Sequence, residues 1–409
     1  MKKIIALILA LVASFILVGS LSSCSSESAD TLYVYNWGEY ISDGSEGCLD
    51  VNKAFEEYYY ETYGKRITVN YSTYSSNEDM YAKISSGAVS YDVIIPSDYM
   101  IERLISENLI AKLNFDNIPN YQYILDEFKG ENAFYDPTNE YSVPYAYGMV
   151  GIIYNSKEVD EADAAEKSWG LMWNEKYSGD ILQFNNSRDA FGTAMYYLGY
   201  DVNKASEDEW RAAKDKLLEQ KPLVQAYVMD EIYNKMKGGS AAISAYYAGD
   251  YMMMYEDNED LEFYYPKEGT NYYVDAMCVP ASSNNKELAE IYINFMLSEE
   301  PAIANAEYTY YATPNKLVIE NEEYVEYMND IKENAMDILY NQFDSVKVTP
   351  YRNLPTEKLS LINELWEDLK IESTIGVEIY IVGGVILAGV VALVVFLVIR
   401  KKKRSELAE

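Results

Sequence analysis

The sequence predicts an α/β protein made of two lobes, and three observations carry that prediction. Strand-like and helix-like segments alternate along the chain from residue 31 onward. Residues 91–97 include a continuous apolar run, which is typical of a strand in a parallel sheet covered on both faces. After residue 141 the pattern begins again, and the proline within residues 141–145 suits an edge strand or a connector between domains. A chain of 409 residues is long enough for two such domains.

The first predicted element, residues 31–40, is a strand that ends in a candidate binding site. Apolar residues and tyrosines alternate with a period of two, which predicts a half-buried strand. The strand pattern ends at Gly38, which follows Trp37 and precedes Glu39 and Tyr40. Ligands of open α/β sheets bind outside the carboxyl ends of strands. Two rings and a carboxylate at such an end predict a site for a cation.

The later elements follow from helical periodicity, capping residues and apolar runs. Ser76 is placed to cap one helix and Gly87 to end it, while Gly238 and Gly239 end another. In chain order the sequence predicts helix 49–60, strand 67–71, helix 78–84, strand 91–97, helix 100–105, strand 149–154, helices 189–198, 207–218 and 227–237, strands 241–247, 261–265 and 273–279, and helix 286–297.

Charge and composition exclude several classes of function. The formal net charge of -33 makes nucleic acid or anionic lipid an improbable partner of the soluble body, because both are polyanions. Cationic ligands are attracted instead, although acidity alone also serves solubility. The chain contains no histidine. Ser-His and Cys-His nucleophilic pairs and histidine metal sites are therefore ruled out, and no cofactor is predicted.

The N-terminus predicts export. A charged start and an apolar run from residue 4 to 18 form a signal peptide over residues 1–23. The sequence LSSC ending at Cys24 resembles a bacterial lipobox, which implies cleavage before Cys24 and acylation of its sulfur. The alternative is an ordinary cleavage site with an incidental cysteine. Residues 24–30 are expected to be a flexible tether.

The C-terminus predicts a second membrane anchor. Residues 379–399 are continuously apolar and long enough to cross a bilayer, and residues 400–409 begin with a basic cluster. The positive-inside rule places this tail in the cytoplasm and the soluble body outside the cell. Of the remaining cysteines, Cys48 and Cys278 lie in unrelated contexts, so a disulfide between them stays open.

Four predicted strand ends each combine aromatic rings with a carboxylate. These sets are Trp37, Glu39 and Tyr40; Ser97, Asp98 and Tyr99; Tyr246, Tyr247 and Asp250; and Tyr272, Tyr273 and Asp275. An organic dication needs both groups, because carboxylates replace the water lost from its ammonium ends and rings cover its methylenes. With 42 tyrosines in the chain, ring pairs also occur by chance. Asp189 has a second interpretation as part of a helix cap that begins at Asn186.

Several sequence blocks together resemble one family. In order, they are TLYVYNWGEY, NYSTYSSNEDMYAKI, YDVIIPSDYM, YSVPYAYGMVGIIYN, YYPKEGTNYYVDAMCVPASSNNKE and YATPN. From about residue 31 to 370 the chain resembles the spermidine/putrescine-binding proteins of bacterial ABC importers. The resemblance implies a periplasmic-binding-protein fold of the second type that closes on a polyamine and delivers it to permease subunits. The expected first lobe is residues 31–145 and 273–320, and the expected second lobe is residues 146–272 and 321–372.

The resemblance also implies a set of ligand-binding residues. Matched position by position, they are Trp37, Tyr40, Ser97, Tyr99, Asn186, Asp189, Tyr246, Tyr273, Asp275, Tyr311 and Arg352. Asn186 replaces an aspartate of triamine-binding relatives, and Arg352 replaces a neutral glutamine. Tyr246 and Tyr273 replace tryptophans. Compared with triamine-binding relatives, the site therefore has one negative charge fewer and one positive charge more. This difference predicts a diamine such as putrescine, or a broader range of polyamines, held mainly between Asp275 and Asp189.

Two other functions stay open at this level. A ferric-ion receptor of similar fold would use phenolates, and the pairs Tyr246–Tyr247 and Tyr310–Tyr311 permit it. A surface glycosidase would use two carboxylates flanked by rings, with Asp275 as the nearest candidate for a raised pKa. The sequence favours a polyamine-binding protein without enzymatic activity over both.

Overall fold

The computed structural model describes residues 30–341 and 346–371 of the chain. Its strands are β1 (Asp30–Trp37), β2 (Ile67–Tyr74), β3 (Val93–Ile94), β4 (Ser142–Asn155), β5 (Ile181–Phe184), β6 (Val224–Val228), β7 (Ile243–Tyr247), β8 (Leu261–Tyr264) and β9 (Tyr272–Cys278). Its α-helices are α1 (Val51–Tyr63), α2 (Asn77–Ser86), α3 (Asp98–Ser106), α4 (Glu161–Ala164), α5 (Ser187–Leu198), α6 (Glu207–Gln220), α7 (Ile232–Lys237), α8 (Ala248–Asp257), α9 (Lys286–Met296), α10 (Glu299–Thr309), α11 (Lys316–Ile319), α12 (Glu322–Ile331) and α13 (Thr356–Ile371).

The long strand β4 runs through both lobes. Its residues 142–149 pair with β9 in antiparallel orientation, and its residues 150–155 pair with β7 and β8. In the first lobe, β1 pairs in parallel with β2 and β3, and β3 lies beside β9. In the second lobe, β5 pairs in parallel with β6 and β7. The predicted two-lobed α/β architecture is confirmed. The exact lobe boundaries stay a prediction. Strand β4 continues through residue 145, with a register shift in its pairing with β9 between Pro144 and Ala146.

Three chain segments meet where the two lobes join. Val150 of β4 donates its N–H to the carbonyl oxygen of Asn271 at 3.2 Å. The Thr270 hydroxyl donates to the carbonyl oxygen of Val150 at 2.6 Å, and the N–H of Thr349 donates to the carbonyl oxygen of Thr270 at 3.0 Å. Movement of one lobe relative to the other therefore has to be accommodated at this junction.

Local capping chemistry fixes the helices that lie next to the cleft. Ser76 accepts a hydrogen bond from the N–H of Asp79, and α2 ends at Gly87 with a φ of 64°, as the sequence predicts. Helix α5 begins after Asn186, whose side chain accepts from the N–H of Asp189. Both helices therefore begin at fixed positions beside the cleft.

Two predicted elements differ from the observed ones. The predicted helix 227–237 is wrong, because β6 pairs in parallel with β5 through residue 228 and α7 begins only at residue 232. Valines at both ends of β6 favour the strand. The predicted strand 91–97 shortens to the two residues of β3, because Pro96 cannot donate to a ladder and Ser97 already precedes α3.

Several predictions on the chain ends fall outside the described residues. They concern the signal peptide, the acylation of Cys24, the tether, the membrane helix at 379–399 and the basic tail. Among residues 30–341 and 346–371, no helix is long and apolar enough to cross a membrane. Cys48 and Cys278 are both free thiols, so the disulfide that the sequence left open does not form.

Candidate ligand-binding site

A cavity between the two lobes gathers the predicted strand ends. Apart from Arg352, every predicted site residue lines it: Trp37, Tyr40, Ser97, Tyr99, Asn186, Asp189, Tyr246, Tyr273, Asp275 and Tyr311. The lining contains more carboxylates than cationic side chains. The carboxylates are those of Glu78, Asp98, Asp189, Asp230, Asp250 and Asp275. Among the described residues of the lining, Arg188 has the only cationic side chain. Such a cavity favours a positively charged ligand.

Trp37 forms a rigid aromatic wall on the side of the first lobe. Its Nε1–H donates to the carbonyl oxygen of Ile95 at 3.0 Å, and its ring centroid lies 4.6 Å from that of Tyr74. The Tyr74 hydroxyl donates to the same carbonyl oxygen at 2.7 Å. The indole is therefore held in place without a ligand, which lowers the entropic cost of binding one.

Asp275 is a buried carboxylate with one unpaired oxygen. It lies on β9 and is 4% exposed. Oδ2 accepts a hydrogen bond from the Tyr40 hydroxyl at 2.7 Å, whereas Oδ1 has no hydrogen-bond partner among the described residues. Burial raises the pKa of Asp275 to about 6, and the hydroxyls of Ser97 and Tyr40 oppose that rise. A carboxylate in this state gains most from a bound cation.

Asp189 supplies a second carboxylate from the second lobe. Its Oδ2 accepts from the Tyr247 hydroxyl at 2.6 Å and from the side-chain amide of Asn186 at 2.8 Å. Asn186 acts as the helix cap, so the Asp189 carboxylate is directed to Tyr247 and away from a backbone N–H. Burial raises the pKa of Asp189, while the bonds from Tyr247 and Asn186 and the charge of Arg188 oppose the rise.

Asp250 is a third buried carboxylate, which the matched family positions do not include. It accepts hydrogen bonds from the hydroxyls of Tyr233 and Tyr311. Burial raises its pKa to about 7, and those two bonds oppose the rise. The sequence signal was present, because Asp250 follows Tyr246 and Tyr247 at one of the strand ends.

Arg188 is a charged residue of the cavity lining that the sequence did not predict. Its guanidinium carbon lies 4.7 Å from the ring centroids of both Tyr99 and Tyr351. The side chain is 3% exposed, and Nη1 has no hydrogen-bond partner among the described residues. Burial raises the pKa of the neighbouring Glu78. The positive charge of Arg188 opposes this rise but does not cancel it. Only its position between Asn186 and Asp189 could have marked it from the sequence.

Arg352 and Glu39 both lie outside the cavity lining. The Arg352 guanidinium forms an ion pair with Glu102. Glu39 follows Gly38 with a positive φ of 47° and faces a separate surface groove. Among the described residues that line the cavity, the positive charge comes from Arg188 and not from Arg352.

The two tyrosine pairs that permit a ferric site are arranged differently. Tyr246 and Tyr247 both line the cavity, but of the second pair only Tyr311 does. Tyr310 adopts a left-handed conformation with a φ of 60°, and its hydroxyl donates to Glu256 at 2.7 Å. Burial raises the pKa of the cavity tyrosines well above 10, so their phenolates are disfavoured.

The raised pKa values of Asp250 and Asp275 predict how stability depends on pH. Because the folded protein binds these protons more tightly than the unfolded chain, the free energy of unfolding increases as pH falls through about 7 and 6. Each group contributes a slope of up to about 1.4 kcal/mol per pH unit. We expect thermal denaturation of the ligand-free protein between pH 8 and 5 to show this gain. A double Asp250→Asn and Asp275→Asn variant should lose it, and equal slopes in both proteins would contradict the assignment.

Two α/β lobes that close over a cavity of fixed rings and buried carboxylates define a receptor that captures a small ligand. Three of the buried carboxylates, those of Asp189, Asp250 and Asp275, each accept a hydrogen bond from a tyrosine hydroxyl. Capture by lobe closure requires no chemical reaction.

The chain belongs to the bacterial extracellular solute-binding protein family, whose model matches residues 89–337. It is 33% identical over 308 residues to the spermidine/putrescine-binding periplasmic protein of Salmonella typhimurium. That alignment covers 75% of this chain and 83% of the relative. The Escherichia coli protein of the same name is 31% identical over 363 residues, covering 88% and 97%. The solved structure of the spermidine/putrescine transporter substrate-binding protein of Streptococcus pneumoniae aligns with a TM-score of 0.64 and 31% identity, covering 84% and 99%. The resemblance predicted from the sequence blocks is confirmed.

Proposed function

We propose that the protein captures a polyamine outside the cell and delivers it to an ABC importer. The observation that carries this proposal is the buried Asp275, whose Oδ1 has no partner among the described residues, in the same cavity as Asp189 and fixed rings. Relatives named for binding spermidine or putrescine support the ligand class. The same family supports a binding protein rather than an enzyme.

The cavity offers each part of a polyamine a suitable contact. An ammonium group that leaves water needs charge-assisted hydrogen bonds, which the carboxylates of Asp275 and Asp189 supply. Methylene groups gain about 25 cal/mol per Å² of surface that the rings remove from water. Trp37 also presents a π face to a cation. Because the soluble body is acidic, association should be fast and should slow at high salt.

We expect a diamine to bind better than a triamine. Asn186 contributes no charge, and Arg188 places a fixed positive charge in the cavity lining beside Asp189. A third ammonium group near Arg188 would be repelled, whereas two ammonium groups match Asp275 and Asp189. Putrescine is therefore the proposed ligand, with a broader polyamine range as the alternative.

Calorimetry on the soluble body tests this proposal directly. We expect putrescine to bind more tightly than spermidine, and 1,4-butanediol, which has the same carbon chain without charges, to give no heat of binding. Much tighter binding of spermidine would contradict the diamine preference. Absence of binding by every polyamine would contradict the function itself.

Membrane attachment is the second part of the proposal. The LSSC motif that ends at Cys24 supports a lipid anchor, and the apolar run at residues 379–399 supports a transmembrane helix. These anchors would hold the receptor on the outer face of the membrane beside its permease. Mass spectrometry of the mature N-terminus tests the lipid anchor, because an acylated Cys24 would be the first residue.

A further inference from the structure

We propose that Glu102 and Arg352, which lie outside the cavity, form a latch that holds the two lobes closed over the ligand. The inference rests on the proposed function for its ligand, and its contacts are independent of the cavity chemistry. It also gives a role to Arg352, which the sequence matched to the binding site.

The latch is a two-point ion pair reinforced by the backbone. Nη2 of Arg352 lies 2.5 Å from Oε1 of Glu102, and Nε of Arg352 donates to Oε2 at 3.1 Å. The N–H of Asn353 donates to the same Oε2 at 2.8 Å. The guanidinium carbon also lies 4.8 Å from the ring centroid of Phe134. Such paired geometry is stronger and more directional than a single contact.

The two partners are fixed to different lobes. Glu102 belongs to α3, which follows β3 in the first lobe. The segment around Arg352 is attached to the second lobe, because the N–H of Arg352 donates to the side chain of Asn203 at 2.9 Å. Asn203 in turn donates to the carbonyl oxygen of Pro350 at 2.9 Å. The Tyr351 hydroxyl donates to the carbonyl oxygen of Arg188 at 3.1 Å. Separation of the lobes would therefore break the pair.

The latch lies directly behind the cavity wall. Tyr99, one helical turn before Glu102, and Tyr351, next to Arg352, both line the cavity. Their ring centroids are 6.0 Å apart, and both rings contact the Arg188 guanidinium. Closing the latch therefore brings together two residues of the binding site. An interaction made only in the closed state raises affinity by shifting the population toward that state.

The exposure of the pair separates this role from a role in folding. The side chains of Arg352 and Glu102 are 45% and 25% exposed, so removing one leaves no charge stranded in the core. We expect Glu102→Gln and Arg352→Gln each to speed putrescine release about three- to tenfold. The double variant should be no faster than the single ones, because each change breaks the same contact. The melting temperature of the ligand-free protein should fall by at most a few degrees, because a partly exposed ion pair contributes little to stability.

Stopped-flow measurement of tryptophan fluorescence tests the latch, since Trp37 lines the cavity. The matched control is Lys112→Gln, which breaks an ion pair with Glu140 inside the first lobe. This control should release ligand at the wild-type rate, and the exchanged pair Glu102→Arg with Arg352→Glu should partly restore slow release. Unchanged release in both single variants, or equal acceleration in the control, would overturn the latch.

Failure of the proposed function is distinguishable from failure of the latch. If the wild-type protein binds no polyamine in calorimetry, the function is wrong and the latch is tested without ligand. In small-angle X-ray scattering of the ligand-free protein, Arg352→Gln should then increase the radius of gyration relative to wild type and to Lys112→Gln. An unchanged radius would overturn the latch.

Discussion

Replacing Asp275 with asparagine is expected to weaken putrescine binding by about 2 kcal/mol or more, roughly 30-fold. Asparagine has the same shape and keeps an oxygen that accepts the Tyr40 hydrogen bond. It lacks the negative charge, so one ammonium group of the ligand is left without a counter-charge in a site shielded from water. Calorimetry at pH 7.5 measures this loss, since the pKa of Asp275 is about 6 and the wild-type carboxylate is then ionised.

The stability of the same variant separates a binding effect from a folding defect. Because burial disfavours the charged form of Asp275, the asparagine variant should melt at the same temperature as wild type or higher at pH 7.5. Asp136 is the matched control, being a buried aspartate of the first lobe that accepts from Tyr141 and Ser142 outside the cavity lining. Asp136→Asn should lower stability and leave the dissociation constant unchanged. Wild-type affinity in Asp275→Asn would mean that the ligand binds elsewhere.

Much of the cavity was predictable because strand ends converge in an open α/β sheet. Trp37, Tyr99 and Asp275 are far apart in sequence, yet each follows or lies within a recognisable strand pattern. The rings and carboxylates at these ends point to one edge, and the structure brings them together. Local pattern was sufficient for this part of the site because the backbone topology determines it.

Contacts between the lobes were not predictable in the same way. Glu102 and Arg352 are 250 residues apart, and neither lies in a pattern that marks a partner. The place of Arg188 in the cavity could not be predicted for a different reason. Asn186 and Asp189 at the start of a helix are explained by capping alone, so they do not mark a binding site. The position of the Arg188 guanidinium between Tyr99 and Tyr351 depends on how the lobes pack. Tertiary packing therefore decided where both arginines lie.

Hydrogen bonds give a physical reason for tyrosine beside the buried carboxylates of the cavity. Tyr40 and Tyr247 each donate to a buried carboxylate, at 2.7 and 2.6 Å. These bonds oppose the rise in the pKa of Asp275 and Asp189 that burial causes. A tryptophan or phenylalanine wall would cover a ligand equally well without keeping the carboxylates charged. Tyrosine at these positions combines the two tasks.

Replacing Trp37 with alanine is the second change expected to have a large effect on binding. Loss of the indole removes the cover from the ligand methylenes and a π face from its charge, at a cost on the order of 2 kcal/mol. Trp37→Phe should lie between wild type and alanine, because it keeps a ring but loses the bond from Nε1 to the Ile95 carbonyl oxygen. Calorimetry with putrescine measures all three proteins.

Trp173 provides a control of the same chemistry in the second lobe. Its Nε1–H also donates to a carbonyl oxygen, that of Lys216 at 2.8 Å, and its ring stacks on Tyr197 at 5.0 Å, outside the cavity lining. Trp173→Ala removes a comparable ring and a comparable hydrogen bond, so it should lower stability without changing affinity. If both alanine variants bind putrescine equally well, Trp37 is part of the core and not a wall of the binding site. If only Trp37→Ala loses affinity, the aromatic end of β1 contacts the ligand.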